Sequence, residues 1–309
     1  MKRIIIDCDP GIDDAQAIMM AYRHPCITIE AITTVAGNVG VDLTTGNALK
    51  VLDALEAEPI PVFPGAKTGL VEVGKNASFV HGVDGVGDVG LPESKRQPEV
   101  EPAALALIRL AKEQPGELEL IAIGPLTNLA LALRLEPELP SLYKRLVIMG
   151  GAYLGQGNTE NLPAEFNIFT DPDAAKVVFD NWPKFTMVSW EATLDHGISF
   201  DELQLLFGLN TPRSVFLEKI FQKTLNFIRN VHNGSMSFAA DPLSMAVLME
   251  PGIVQESEEK YVQIERHGSL CRGMTIVDWF GTTGQPPNVE IIRKVDKERF
   301  FQLYKLAFE

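Results

Sequence analysis

The sequence predicts an α/β protein: an open, mostly parallel, Rossmann-like sheet covered by helices on both faces. Short continuous apolar runs alternate with helical patterns through the first two-thirds of the chain, as buried parallel strands and their crossovers do. Small and polar clusters recur where those runs end, the edge at which such a sheet places its ligands.

Strands are expected over residues 3–6, 28–35, 61–63, 118–123, 146–149 and 185–188, each a short apolar, β-rich run. Helical periodicity fills the gaps at 14–22, 43–55, 103–112, 128–135 and 172–179. The last third changes character, with a long helix over 212–231, a shorter one over 241–249, strands over 261–265 and 288–295, and a final helix over 297–308. Residues 69–92 are rich in Gly and Val with little periodicity, so they read as a long loop, of the kind that is either a functional lid or a disordered segment. No internal repeat or low-complexity linker divides the chain, which is read as one domain over 1–309.

Composition narrows the function. A chain of 309 residues can bury a large core, and 46% hydrophobic with 22% charged residues is ordinary for a globular enzyme. A net charge of −14 argues against nucleic acid or an anionic membrane as partner. Three cysteines (Cys8, Cys26, Cys271) make neither a disulfide framework nor a CxxC zinc pair, which suggests a reducing compartment. The chain enters a strand at once with no signal-peptide pattern, and no apolar run approaches the roughly 18 residues of a membrane span, so a cytoplasmic location is expected.

The densest chemistry lies at the end of the first strand, where Asp7, Asp9, Asp13 and Asp14 crowd the run Asp7-Cys8-Asp9-Pro10-Gly11-Ile12-Asp13-Asp14. Like charges so close raise one another's pKa unless a cation compensates, and hard oxygens point to a divalent metal of the calcium or magnesium type. A solvated acidic cap is the plainer reading, but Ile4-Ile5-Ile6 before and Ala15–Ala21 after bury both flanks. Other strand ends carry Val35-Ala36-Gly37-Asn38, Gly124-Pro125-Leu126-Thr127-Asn128 and Met149-Gly150-Gly151, with Glu165-Phe166-Asn167-Ile168 downstream.

Together with His81-Gly82-Val83-Asp84-Gly85, these segments resemble, in order and over essentially the whole chain, the inosine–uridine nucleoside hydrolase family. The resemblance implies cleavage of a ribonucleoside to free base and ribose with one calcium ion per chain, in a homodimer or homotetramer. It gives Asp9 the role of metal ligand and general base, and makes Asp14, Asp241 and the Ile123 carbonyl further metal ligands. It places Asp13, Asn38, Glu165 and Asn167 on the ribose hydroxyls, with Asp7 supporting the cluster from behind. The expected chemistry is direct water attack through an oxocarbenium-like state with inversion. His81, Phe166, Phe227, His232 and Asn233 are candidates for the base side.

Two departures stand out. Many relatives carry a histidine just before the late aspartate, where it helps protonate the leaving base; here that residue is Ala240. The loop before Glu165 is one residue longer than usual, so Asn158 or Asn161 fills the ribose 5′-hydroxyl role, with Asn158 favoured. Plainer readings compete: Asp241-Pro242 and Asp171-Pro172 both read as helix caps, as do Thr127 and Asn128. Rival functions are a calcium-dependent ribosyl-binding protein with little turnover, and a haloacid-dehalogenase-like phosphatase with Asp7 as nucleophile. The second lacks a convincing lysine and later acidic pair.

Overall fold

The computed structural model describes residues 1–231 and 234–309. Strands β1 (Lys2–Cys8), β2 (Ile27–Thr34), β3 (Val62–Pro64), β4 (Leu118–Ala122), β5 (Arg145–Met149) and β6 (Phe185–Val188) run parallel in the spatial order β3-β2-β1-β4-β5-β6. A short ribbon of β7 (Ile198–Ser199) and β8 (Met236–Ser237) stands apart. The sheet is completed by β9 (Val254–Ile264), β10 (Thr275–Asp278) and β11 (Val289–Val295): β11 joins β6 in parallel, and β9 and β10 follow antiparallel.

Helices α1 (Ile12–Arg23), α2 (Val41–Ala54), α4 (Ala103–Glu113), α5 (Thr127–Leu135) and α8 (Pro172–Asn181) fill the crossovers expected of them. Shorter pieces are α3 (Ser78–His81), α6 (Leu139–Leu142), α7 (Phe166–Thr170), α9 (Trp190–Asp195) and α10 (Phe200–Phe207). The C-terminal third supplies α11 (Pro212–Val231), α12 (Ala240–Met249) and α13 (Lys297–Lys305). No described helix is long and apolar enough to cross a membrane.

The triple isoleucine shows why β1 sits centrally. Ile4 and Ile6 pack into one hydrophobic cluster and Ile5 into the other, so both faces of the strand are buried. The outer strands were less visible in the sequence. The strand expected over 261–265 begins at Val254, because its charged first half pairs with β11, where Arg293 meets Glu258, while Lys184 just before β6 reaches Glu259. The loop over 69–92 contains α3, and α9, α10 and β10 arise where no element was expected.

Strand order reverses at β1: two crossovers lead outward to β2 and β3, and the next returns to β4 on the other side of β1. Such a switch point opens a crevice beyond the carboxyl ends of the two strands. Asp7 and Asp9 leave β1 there, and Ile123-Gly124 leaves β4.

Candidate active site

Asp9 hangs from the end of β1 in a space cleared by glycine. A Cβ at Gly37 would stand 2.1 Å from Asp9 Oδ2, and one at Gly124 would stand 2.7 Å from Oδ1. The Asn38 amide donates to Oδ2 at 2.7 Å, while Oδ1 accepts from no described residue. Asp14 opens α1 as its third residue and reaches back to the N-capping Gly11, whose amide donates to Oδ2 at 2.9 Å. Its Oδ1 accepts from the Asp9 amide at 3.1 Å. The Asn38 side-chain amide bridges the Asp9 carbonyl and Asp14 Oδ2 at 3.1 and 3.2 Å. Asp7 lies behind, its Oδ1 held by Thr33 and Asn128 at 2.6 and 2.8 Å.

Asp241 arrives from the other end of the chain on α12, a helix buried on every side. Asp13, Asp14 and Asp241 bring carboxylate oxygens within 4.8 Å of one another. This triad contains Asp13, which the resemblance assigned to ribose, and not Asp9, which it assigned to the metal. Asp9 remains close enough for its charge to act on Asp241, and it feels that of Asp14. Burial pushes Asp7 and Asp14 up to about 7, with the Asp13 charge adding to the rise at Asp14. Burial, then neighbouring carboxylates, hold Asp9 and Asp241 well above the usual carboxylate range. No Lys or Arg forms an ion pair with these five groups among the described residues; His81 Nδ1, 4.0 Å from Asp13, is the one basic neighbour within that reach. Asp13 Oδ1 is buried with no hydrogen-bond partner. An oxygen-only donor set, an orphaned acceptor and uncompensated buried acid fit a hard divalent cation.

A cavity of about 660 Å³ opens onto this cluster, roomy enough for a nucleoside. Asp9, Asp13, Asn38, Asn158, Glu165, Asn167 and Asp241 all line it, as do Ile123, His81, Phe166 and Phe227. Asp14 is buried beneath it. His232 and Asn233 lie outside the described residues. Glu165 is buried and caps α7, accepting from the amides of Asn167, Ile168 and Gly151; burial raises it to about 7. Asn167 donates to the carbonyls of Ile123 and Met149 at 3.0 and 3.2 Å, so one lone pair of the Ile123 oxygen is already engaged. The amide of Ile12 donates to His81 Nδ1 at 3.1 Å, and burial lowers the ring's pKa despite the charge of Asp13. A neutral ring with Nδ1 as acceptor carries its proton on Nε2.

The rival cap readings divide. Asp171 is a true N-cap, accepting from Ala174 at 3.0 Å. Asp241 makes no capping bond and accepts from no described residue; Ala239 is the N-cap of α12. Thr127 and Asn128 do not cap α5 either. Thr127 donates to Asp171 at 2.7 Å, and Asn128 ties Asp7 to the Thr34 carbonyl. Of the two asparagines in the long loop, Asn158 lines the cavity and accepts from the Phe166 amide at 2.9 Å. Asn161 turns away to the Arg272 carbonyl.

Sequence reasoning missed most of the apolar wall. Phe79 meets Phe227 edge-to-face at 5.6 Å on one side, and Trp190 meets Phe238 at 5.8 Å beside Ala240. Gln16 lines the cavity floor, donating to Ile12 and accepting from Tyr304. Only the helical spacing of Gln16 with Ile12 hinted at a shared face.

A parallel sheet with a buried carboxylate centre at its switch point, open to a cavity of nucleoside size, defines a small-molecule enzyme of the metal-dependent α/β type. Residues 4–302 match the family described as inosine-uridine preferring nucleoside hydrolase, and the chain belongs to that family of N-glycosyl hydrolases. It is 38% identical over 303 residues to the non-specific ribonucleoside hydrolase RihC of Salmonella enteritidis, covering 97% of this chain and 95% of the relative. It is 35% identical over 301 residues to the pyrimidine-specific RihA of Salmonella arizonae, covering 97% and 96%. Among solved structures it resembles an inosine-guanosine nucleoside hydrolase with a TM-score of 0.92 at 36% identity, covering 99% and 98%. A purine-preferring ribonucleoside hydrolase from Gardnerella vaginalis matches with a TM-score of 0.91 at 29% identity over 99% and 98%. The phosphatase and binding-protein readings lapse. The relatives divide between purine and pyrimidine preference, so likeness alone assigns no base.

Proposed function

We propose that this chain hydrolyses ribonucleosides by direct water attack on the anomeric carbon, with Asp9 as general base. The observation that carries this reading is Asp9 itself: one oxygen is fixed by the Asn38 amide, the other accepts from no described residue, and the side chain lines a cavity of nucleoside size. Asp9 Oδ1 takes the proton as water bonds to the anomeric carbon, and the C–N bonding pair leaves with the base. Attack from the face opposite the base inverts the anomeric centre. Asp13, Asp14 and Asp241, with Asp9 and the Ile123 carbonyl beside them, would hold a calcium ion. When bound, that ion supplies Lewis acidity toward water and the ribose diol, and the positive charge that keeps the buried carboxylates ionised.

The ribose is oriented by groups already held in place. Asn38 and Asn167 spend their amide hydrogens on the protein, which leaves their oxygens to accept from sugar hydroxyls. The Asn158 Nδ2 has no partner among the described residues and suits the 5′-hydroxyl. Phe166, Phe227 and neutral His81 stand toward the base. Three free cysteines fit a cytoplasmic location, and the family resemblance implies a role in nucleoside salvage as a homodimer or homotetramer of single-domain subunits.

Ribose release from inosine and uridine, with excess calcium, compares wild type with Asp9→Asn. Loss of a general base predicts a fall in kcat of about a hundred- to ten-thousandfold. Equal release by both proteins removes Asp9 from the mechanism.

A further inference from the structure

Glu191 is a buried carboxylate that the chemistry above does not use. It is the second residue of α9, 4% exposed, directly after cavity-lining Trp190 but not itself on the cavity. Its hydrogen-bond partners among the described residues are three main-chain amides from one loop. Tyr153 donates to Oε2 at 2.9 Å, and Leu154 and Gln156 donate to Oε1 at 2.7 and 3.2 Å. The loop then runs through Gly157 to Asn158. Its far side is tied by Gly157 to the Leu162 carbonyl at 2.8 Å and by Asn158 to the Ala164 carbonyl at 3.2 Å. A Cβ at Gly157 would stand 2.2 Å from the Ala164 oxygen, so the two limbs of the loop lie in contact. Asn158 sits where the two limbs meet: Ala164 and Phe166 hold it from the far side. Glu191 gathers the near limb that leads into it, next to the Thr275 bonds to Ala152, so Glu191 helps set its position.

We propose that Glu191 is a positioning residue for the ribose-binding loop, setting where Asn158 meets the sugar 5′-hydroxyl. The inference rests on the reading of Asn158 given above. Only an ionised carboxylate accepts at both oxygens with no hydrogen of its own. Glu191→Gln replaces one acceptor with an NH₂ that faces at least one amide donor, which costs a bond and adds a repulsion. Glu191→Asp keeps the acceptors and withdraws them by one methylene.

The test measures kcat and KM for inosine and uridine and for their 5′-deoxy counterparts, with amide hydrogen exchange over residues 153–158. In Glu191→Gln, KM for the full nucleosides rises about tenfold, the equivalent of one lost hydrogen bond. The 5′-deoxy substrates change less than about twofold, and exchange over 153–158 accelerates. Glu191→Asp shifts the same quantities in the same direction by less, and serves if Glu191→Gln fails to fold. Equal losses on both substrate sets, or unchanged exchange in the loop, overturn the proposal. A wild-type enzyme indifferent to the 5′-hydroxyl overturns the Asn158 assignment instead, and the exchange measurement separates that failure from one at Glu191.

Discussion

Ala240 poses the sharpest question at the scale of single residues. It is buried at the start of α12, lines the cavity, and precedes an aspartate that accepts from no described residue. A methyl group cannot protonate a departing base, so the chain is expected to depend on leaving groups that need little help. Ala240→His restores an acid at that point. Turnover of inosine or uridine then rises by about tenfold or more, while p-nitrophenyl riboside, whose leaving group is already stable, changes less than about twofold. A rise shared equally by both substrates would show that the new side chain acts on something other than the base. Much of this site was legible because acid is conspicuous: Asp7, Asp9, Asp13 and Asp14 announced themselves by density, and Asp241 by its place in the resemblance. Glu165 and Asn167 were legible on the same ground. The aromatic wall was not. Trp190, Phe238 and Phe79 are apolar residues in an apolar-rich chain, and nothing in their spacing tells a cavity from a core.

At the scale of elements, the inner strands could be read because burial on both faces writes continuous apolar runs. The same logic failed at the edge, where β9 carries Glu256, Ser257, Glu258 and Glu259 and looks like a solvated loop until β11 supplies its partner. The six-residue α9 is too short for periodicity to register, yet it carries both Trp190 and Glu191. Asp171 shows how one capping residue can hold several elements. Besides capping α8 it accepts from Thr127 on α5 and, at 2.8 Å, from the Leu70 amide at the root of the long loop. Asp171→Ala removes all three bonds. A cap is worth about 1 kcal/mol and the others add comparable amounts, so urea denaturation should show a loss of about 2–3 kcal/mol. Asp171 does not line the cavity, so KM stays within about twofold. A loss below about 0.5 kcal/mol would mean that the neighbours close the gap unaided.

The whole molecule couples its stability to the charge it hides. Without metal, Asp7, Asp14 and Glu165 are raised to about 7 in the folded chain, and Asp9 and Asp241 are also held well above the usual carboxylate range, against ordinary values of 3.8 for Asp and 4.5 for Glu. The folded state therefore holds more protons than the unfolded state between those limits. The stability they contribute is fully present below the ordinary values and is lost as pH rises through the folded ones. His81 acts in the opposite sense, since its lowered pKa makes the unfolded chain the better proton binder below 6.5, but it is one group against five. The carboxylates depressed by surface partners, such as Asp88 beside Lys223, titrate below this window and do not alter its slope. With a chelator present, Tm should fall by several degrees between about pH 5 and about pH 8. Calcium in excess supplies the missing charge, so the Tm gained on adding it should grow over the same interval, by mass action on a site the unfolded chain lacks. Differential scanning calorimetry across that range decides the matter. A metal-free Tm that holds level or climbs, with a calcium effect independent of pH, would mean that the buried aspartates are compensated by something other than the ion.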